Sequence, residues 1–151
     1  MATVTASNSI AYFLWPFSSW TVPEPEDSIT FNALDCPLTD GYRASIQTGF
    51  DTGTREWKMR FPTLASLEVL STTMTDINGA SVSREECLRS LYVENKVTGT
   101  PFVYLNPQNN TYYFVDFADN DLTLARMRIK IYSTGITLRQ VRLANVTLPA
   151  P

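Results

Sequence analysis

Histidine is absent from this chain of 151 residues. The commonest general base at neutral pH goes with it, as do the Ser-His and Cys-His nucleophile pairs. Cysteine is nearly absent, with Cys36 and Cys87 the two present. Two thiols without an imidazole cannot build the usual four-ligand zinc site. One falls before the first well-marked strand and the other on a predicted helix, so both are expected as free, buried thiols in a reducing cytoplasm. Long apolar runs are missing as well. Ile10-Ala11-Tyr12-Phe13-Leu14-Trp15 has no basic residue ahead of it and stops at Pro16. A secretory signal needs a positive start and a longer apolar core, and a spanning helix needs about 20 apolar residues; neither is expected here. The sequons beginning at Asn109 and Asn145 are accordingly expected to carry no glycan.

Each end of the chain also lacks charge of one sign. Residues 1–42 hold Glu24, Glu26, Asp27, Asp35 and Asp40 but no Lys or Arg. Residues 122–151 hold Arg126, Arg128, Lys130, Arg139 and Arg142 but no Asp or Glu. A net charge of -3 conceals that split. Opposite potentials at two ends steer and register head-to-tail contacts between copies. They serve equally well to pair the two ends within one folded molecule. The pI near 4.9 argues against nucleic-acid binding by the surface as a whole, with the basic C-terminal strands a local exception.

What is present is a globular composition: 44% apolar, 18% charged and 12% aromatic residues, including eight Phe and seven Tyr. That aromatic content favours pleated, half-buried strand surfaces over helices. A chain of this length buries roughly 70% of its unfolded surface, enough for one core. Residues 1–27 read as an extended N-terminal arm, polar at first, then aromatic, then Pro23-Glu24-Pro25. Residues 28–143 read as a single β-rich domain and 144–151 as a frayed C-terminal tail. Exposed, the arm's Tyr12, Phe13, Trp15, Phe17 and Trp20 would form a large apolar patch. Either the arm packs on its own domain or it docks on a neighbouring subunit.

Alternation predicts a strand from Tyr42 to Thr48, a turn through Gly49–Thr54 and a second strand from Arg55 to Phe61, paired as a hairpin. Trp57, Met59 and Phe61 share one face of that second strand; Glu56, Lys58 and Arg60 share the other. Phe61-Pro62-Thr63 is expected to stop it. Leu64, Leu67, Leu70 and Met74 have helical spacing, ended by Asn78-Gly79. A second helix is better marked: Ser83-Arg84-Glu85-Glu86 is a capping box, Cys87, Leu88, Leu91 and Tyr92 form an apolar face, and Gly99 closes it. Phe102–Leu105 and Thr111–Phe117 predict another hairpin. Ala125–Tyr132 alternates strictly, Ser133-Thr134-Gly135 is read as a turn, and Ile136–Leu143 as the returning strand. The expected fold is mainly β, an antiparallel β-sandwich or barrel crossed by one or two helices.

No constellation points to a reaction. Glu85 and Glu86 sit where a helix N-terminus favours anions. Asp116, Asp119 and Asp121 superficially resemble an acidic calcium loop but lack its glycine and distal Glu, and they join strands. The basic face of Arg126, Arg128 and Lys130 has one adjacent ring, Tyr132, and suits acids of a partner better than nucleic acid. No catalytic residue, metal site, cofactor or sequence-specific nucleic acid is assigned.

The order of elements carries a resemblance. Trp15-Pro16 lies near the start; Gly49-Phe50, Gly53 and Arg55 form a Gly-Phe-x-x-Gly-x-Arg turn. Arg60-Phe61-Pro62-Thr63-Leu64 follows, then Gly99-Thr100-Pro101-Phe102-Val103-Tyr104-Leu105-Asn106-Pro107, and a last basic strand reads Leu138-Arg139-Gln140-Val141-Arg142-Leu143. Over roughly residues 40–143 this resembles the minor tail and distal tail proteins of long-tailed bacteriophages. The resemblance implies a sandwich or barrel crossed by a helix. It also implies a non-enzymatic virion protein, assembled in the host cytoplasm, whose copies form a ring, by implication a hexamer, between tail tube and tip. Neighbouring tail proteins would be its further partners. A longer middle segment and an aromatic arm point alternatively to a head-tail connector or tail terminator ring. A third reading is a monomeric β-sandwich binding carbohydrate on exposed Trp and Tyr. In the ring reading, Tyr12, Phe13, Trp15, Phe17 and Trp20 together with Arg126, Arg128 and Lys130 form the subunit interface.

Overall fold

The computed structural model describes residues 1–17, 26–30, 32–37, 43–48, 53–65, 74–128 and 131–151. They form a mainly β fold with antiparallel sheets and one helix. The chain begins with a small hairpin, β1 (Thr3–Thr5) and β2 (Ala11–Phe13). Strands β3 (Glu26–Thr30), β4 (Asn32–Pro37), β5 (Arg43–Thr48) and β6 (Thr54–Ala65) follow. A second small hairpin, β7 (Met74–Thr75) and β8 (Ser81–Val82), leads into α1 (Arg84–Thr98). The chain closes with β9 (Phe102–Asn106), β10 (Thr111–Phe117), β11 (Ala125–Arg128) and β12 (Ile131–Gln140). The principal sheet has the order β3-β6-β12-β10-β9, with β11 also paired to β12.

Strand β12 is the spine of this sheet. One of its edges runs along β6 from Ile131↔Ala65 to Arg139↔Glu56. Its other edge is shared: β11 pairs with its first residues, through Arg126↔Tyr132, and β10 with its last, through Asp116↔Arg139. Ser133-Thr134-Gly135, read as a turn, lies inside this strand; the reversal falls earlier, where Arg128 pairs with Ile131. Strand β6 also runs past the expected stop at Pro62. Pro62 and Thr63 together face one β12 residue, Ser133, so the register shifts there. A bulge is where a central strand tolerates a residue without an N–H.

The expected hairpin between residues 42–48 and 55–61 is replaced by other pairings. Strand β5 pairs with β4, and β6 pairs with β3 and β12. Of the expected first helix, Leu64 lies in β6 and Met74 in β7, while Leu67 and Leu70 lie outside the described residues. The segment with an Asp76-Ile77-Asn78-Gly79 turn is a hairpin instead. Asp76 Oδ1 accepts from the N–H groups of Asn78 and Ala80 at 2.9 and 2.8 Å, and Gly79 takes φ 82°. Helix α1 forms as its caps require. Ser83 Oγ accepts from Glu86 N, Glu86 returns a carboxylate oxygen to Ser83 N, and Gly99 ends the helix at φ 67°.

Alternation distributes the strand side chains between two apolar clusters. Trp57, Met59, Phe61, Phe102, Tyr104, Val115, Phe117, Ile136 and Leu138 point to one face and meet Cys87, Leu88 and Leu91 of α1. Val103 and Phe114 point to the other face and meet Val4, Ala6 and Tyr12. The sheet curls over the first cluster enough for its outermost strands to touch: Asn106 Nδ2 of β9 donates to Asp27 Oδ2 of β3 at 3.2 Å. Trp57 and Tyr104 rings meet there with centroids 5.1 Å apart.

Residues 1–17 do not form an extended arm. Leu14 makes a parallel bridge with Val103, and Trp15 N–H donates to Val103 O at 2.7 Å, so this segment lies along the outer edge of β9. Tyr12 then falls on the second cluster while Trp15 and Phe17 fall on the first, each with no more than 6% of its surface exposed. Trp15 stacks on Phe102 and meets Phe17, Phe61 and Phe117 edgewise or tilted. Nor is the tail frayed. Val146 and Leu148 cover the second cluster, and Ser7 and Thr147 exchange two hydrogen bonds of 2.9 Å. Replacing Trp15 with Ala is expected to lower the unfolding free energy by about 3–5 kcal/mol. Urea denaturation reads this directly, and an unchanged midpoint would contradict its place in the core.

Candidate functional site

The sequence-predicted interface residues separate into two groups. Tyr12, Trp15 and Phe17 are buried within the fold, and Phe13 is half-buried against the first cluster. They are therefore corrected from a docking arm to core residues that also close the β9 edge. Trp20 and Lys130 lie outside the described residues. Arg126 is exposed on β11, and Arg128 occupies the next pairing position of that strand, opposite Ile131.

Strand β11 stands apart from the rest of the sheet. Ala125, Arg126 and Met127 are all exposed, Met127 by 62%, so neither face of the strand is covered. It pairs with β12 on one edge; among the described residues nothing pairs with its other edge. Strict alternation over 125–132 predicts one strand with a buried face, but the segment divides between two antiparallel strands that pair through Arg128↔Ile131.

At the opposite border, β3 pairs with β6 and, among the described residues, with no other strand. Glu26, Ile29 and Thr30 are exposed, Ile29 by 45%. Asp27 turns inward, its side chain 9% exposed, and makes a 3.0 Å ion pair with Arg55 Nη1. Its Oδ2 takes both that guanidinium and Asn106, while Oδ1 has no hydrogen-bond donor among the described residues. Arg55 in turn lies over the Tyr113 ring, 5.6 Å from its centroid. Thus Asp27, of the acidic end of the chain, is paired within the fold through Arg55. Arg139 sits opposite Asp116 on β10 with a 3.6 Å contact, and Arg142 donates to Gly53 O at 3.2 Å.

The acidic loop after β10 has a structural use. Strand β12 lacks a strand partner between its β11 and β10 neighbours, and Asp119 Oδ2 fills the gap by accepting from Thr137 N at 3.0 Å. Ala118 N donates to Thr137 O, and Thr134 Oγ1 donates to Thr123 O, completing the seam. Among the described residues no group of three Cys, Asp or Glu side chains stands ready for a metal ion. No helix of the described residues is long and apolar enough to cross a membrane.

Two open grooves are present. One of about 660 Å³ lies between β10 and the C-terminal residues, lined by Tyr112, Arg142 and Leu148 among others. The other, of about 410 Å³, lies on the outer side of α1 beside Ile77 and Val93. Neither gathers titratable groups whose chemistry suggests a reaction. Of the aromatic rings proposed as sugar platforms, Trp15 and Trp57 are buried to 2% and 0% exposure. No protein-family model matches the chain, and neither a curated protein nor a solved structure matches it.

Cys87 is a free, buried thiol whose Sγ approaches Thr75 O at 3.8 Å. Burial pushes its pKa from 9.0 up to about 11; the amino terminus opposes this and Asp76 adds to it. Burial first, and Asp27 second, raise Tyr104 from 10.0 to about 12. Both groups are neutral in the fold at a pH where the unfolded chain ionises. Their stabilisation is therefore complete below about pH 9 and declines as pH rises toward the folded values of about 11 and about 12. Unfolding free energy measured across that range should fall, and fall less in Cys87→Ala than in the parent. A flat profile would contradict the burial of both groups.

Proposed function

We propose that this chain is a non-enzymatic structural subunit that assembles with copies of itself into a ring of a bacteriophage tail. The distal tail or tail tip, or an adaptor position, is the place that the resemblance over roughly residues 40–143 implies. Neighbouring tail proteins are its other partners, and a hexamer is the copy number the same resemblance implies.

One observation carries the assembling part of this reading: β11 is exposed on both faces and unpaired on one edge among the described residues, yet presents Met127 with 62% of its surface in solvent. Such a strand gains little inside a monomer, and a bare edge invites another chain. Natural edges are usually blunted by charge, and here the charge is of one sign, from Arg126 and Arg128. That suits a specific acidic partner better than indiscriminate pairing. The curled sheet with a helix on its concave side is compatible with the architecture expected for tail rings. A head-tail connector or tail terminator ring would use the same surfaces. The carbohydrate-binding reading is weakened, because Trp15 and Trp57 belong to the core.

Light scattering on the purified protein is expected to give several times 17.0 kDa. Exchanging Arg126, Arg128 and Lys130 together for Glu should leave the circular dichroism of the monomer intact while removing the larger species. A mass of one chain for the parent at every concentration would overturn the reading.

A further inference from the structure

We infer that strand β11 of one copy adds antiparallel to strand β3 of the next, so that a single sheet runs through successive subunits. This rests on the reading of the chain as a self-assembling subunit and names the surfaces by which it does so. Both strands are borders of the same sheet, reached in the order β3, β6, β12, β11. Neither has a second backbone partner among the described residues.

Strand direction favours the pairing. Each neighbour in that order is antiparallel to the last, so β3 and β11 point in opposite directions. An identically oriented copy placed beside β11 therefore offers its β3 in the antiparallel sense, and the alternation continues unbroken. The two borders are different surfaces, so the contact is heterologous and repeats from copy to copy, where a two-fold contact would stop at a dimer.

Charge and facing agree. Strand β3 carries Glu26 and Asp27 and no base; β11 carries Arg126 and Arg128 and no acid. Asp27 is opposite Trp57, on the sheet face that points to the core. Arg126 is opposite Tyr132, six positions along β12 from Leu138, the partner of Trp57. A same-facing copy thus brings Arg126 and Asp27 to one side of the joined sheet. The register that sets them opposite one another also sets Ser28 opposite Ala125 on the other face.

The test is oxidative cross-linking of the full chain carrying Ser28→Cys and Ala125→Cys together. Within one molecule Ser28 lies level with Arg139 of β12 and Ala125 with Ser133, six residues or about 20 Å apart along the sheet and beyond disulfide reach, so any bond between them joins two copies. Non-reducing gels are expected to show a ladder of multimers for the double variant and no ladder for either single variant, with Cys36 and Cys87 retained in all three. Light scattering is run on the same samples. Multimers in scattering without a ladder would overturn the β11–β3 pairing while leaving self-assembly standing. A single-chain mass for the parent at every concentration would overturn the underlying reading as well.

Discussion

The ladder between β12 and β6 is the constraint to which the rest of the molecule conforms. It runs from Ile131↔Ala65 to Arg139↔Glu56, and its free side is divided between β11 and β10. Because two different strands share that side, the stretch between them must find its hydrogen bonds elsewhere. Asp119 and the backbone of Ala118 supply them to Thr137, and Thr134 reaches Thr123 O. The bulge at Pro62-Thr63 absorbs the remaining mismatch. Moving any of these elements would expose backbone groups that the fold now satisfies.

From that ladder follows the placement of apolar surface. The sheet is buried on both faces near β9 and β10, once by α1 with Trp15 and Phe17, once by the first hairpin and the last residues. It is left uncovered near β11. The N-terminal segment serves two ends at once, filling the core with Trp15 and shielding the β9 edge through Val103. Edge coverage is thus uneven: one border is sheathed by the chain itself, while β3 and β11 keep open backbone edges among the described residues.

Local signals in the sequence located elements well and partners poorly. The capping box at Ser83, the left-handed Gly99 and the apolar face of Cys87, Leu88 and Leu91 identified α1 because helix termini and faces are decided within a few residues. The β9–β10 hairpin was legible for the same reason, its two strands being joined by Pro107-Gln108-Asn109-Asn110. Pairing over greater separation was not legible. Alternation in 43–48 and 55–61 shows two strands but cannot say that one joins β4 and the other β3 and β12. Tyr12, Trp15 and Phe17 looked like an exposed patch because the edge they cover is assembled some 90 residues later. The basic segment containing Arg126 is extended as its alternation predicts, but it is two strands and not one, and the exposure of β11 on both faces shows only once β11 and β12 are separated. The Asp76 turn was misread because Asn-Gly punctuates helices and hairpins alike, and the preceding Asp that decides for the hairpin was overlooked.

The bridge between Leu14 and Val103 also dictates an order of events during synthesis. Tyr12, Trp15 and Phe17 are synthesised some 90–100 residues before Phe102, Phe114 and Phe117, the rings that line their cavity. Until then the aromatic run has no native shelter, and its docking must await closure of a very long loop, a slow step in proteins dominated by distant contacts. The nascent chain therefore passes through a window of greasy exposure that the folded protein no longer shows.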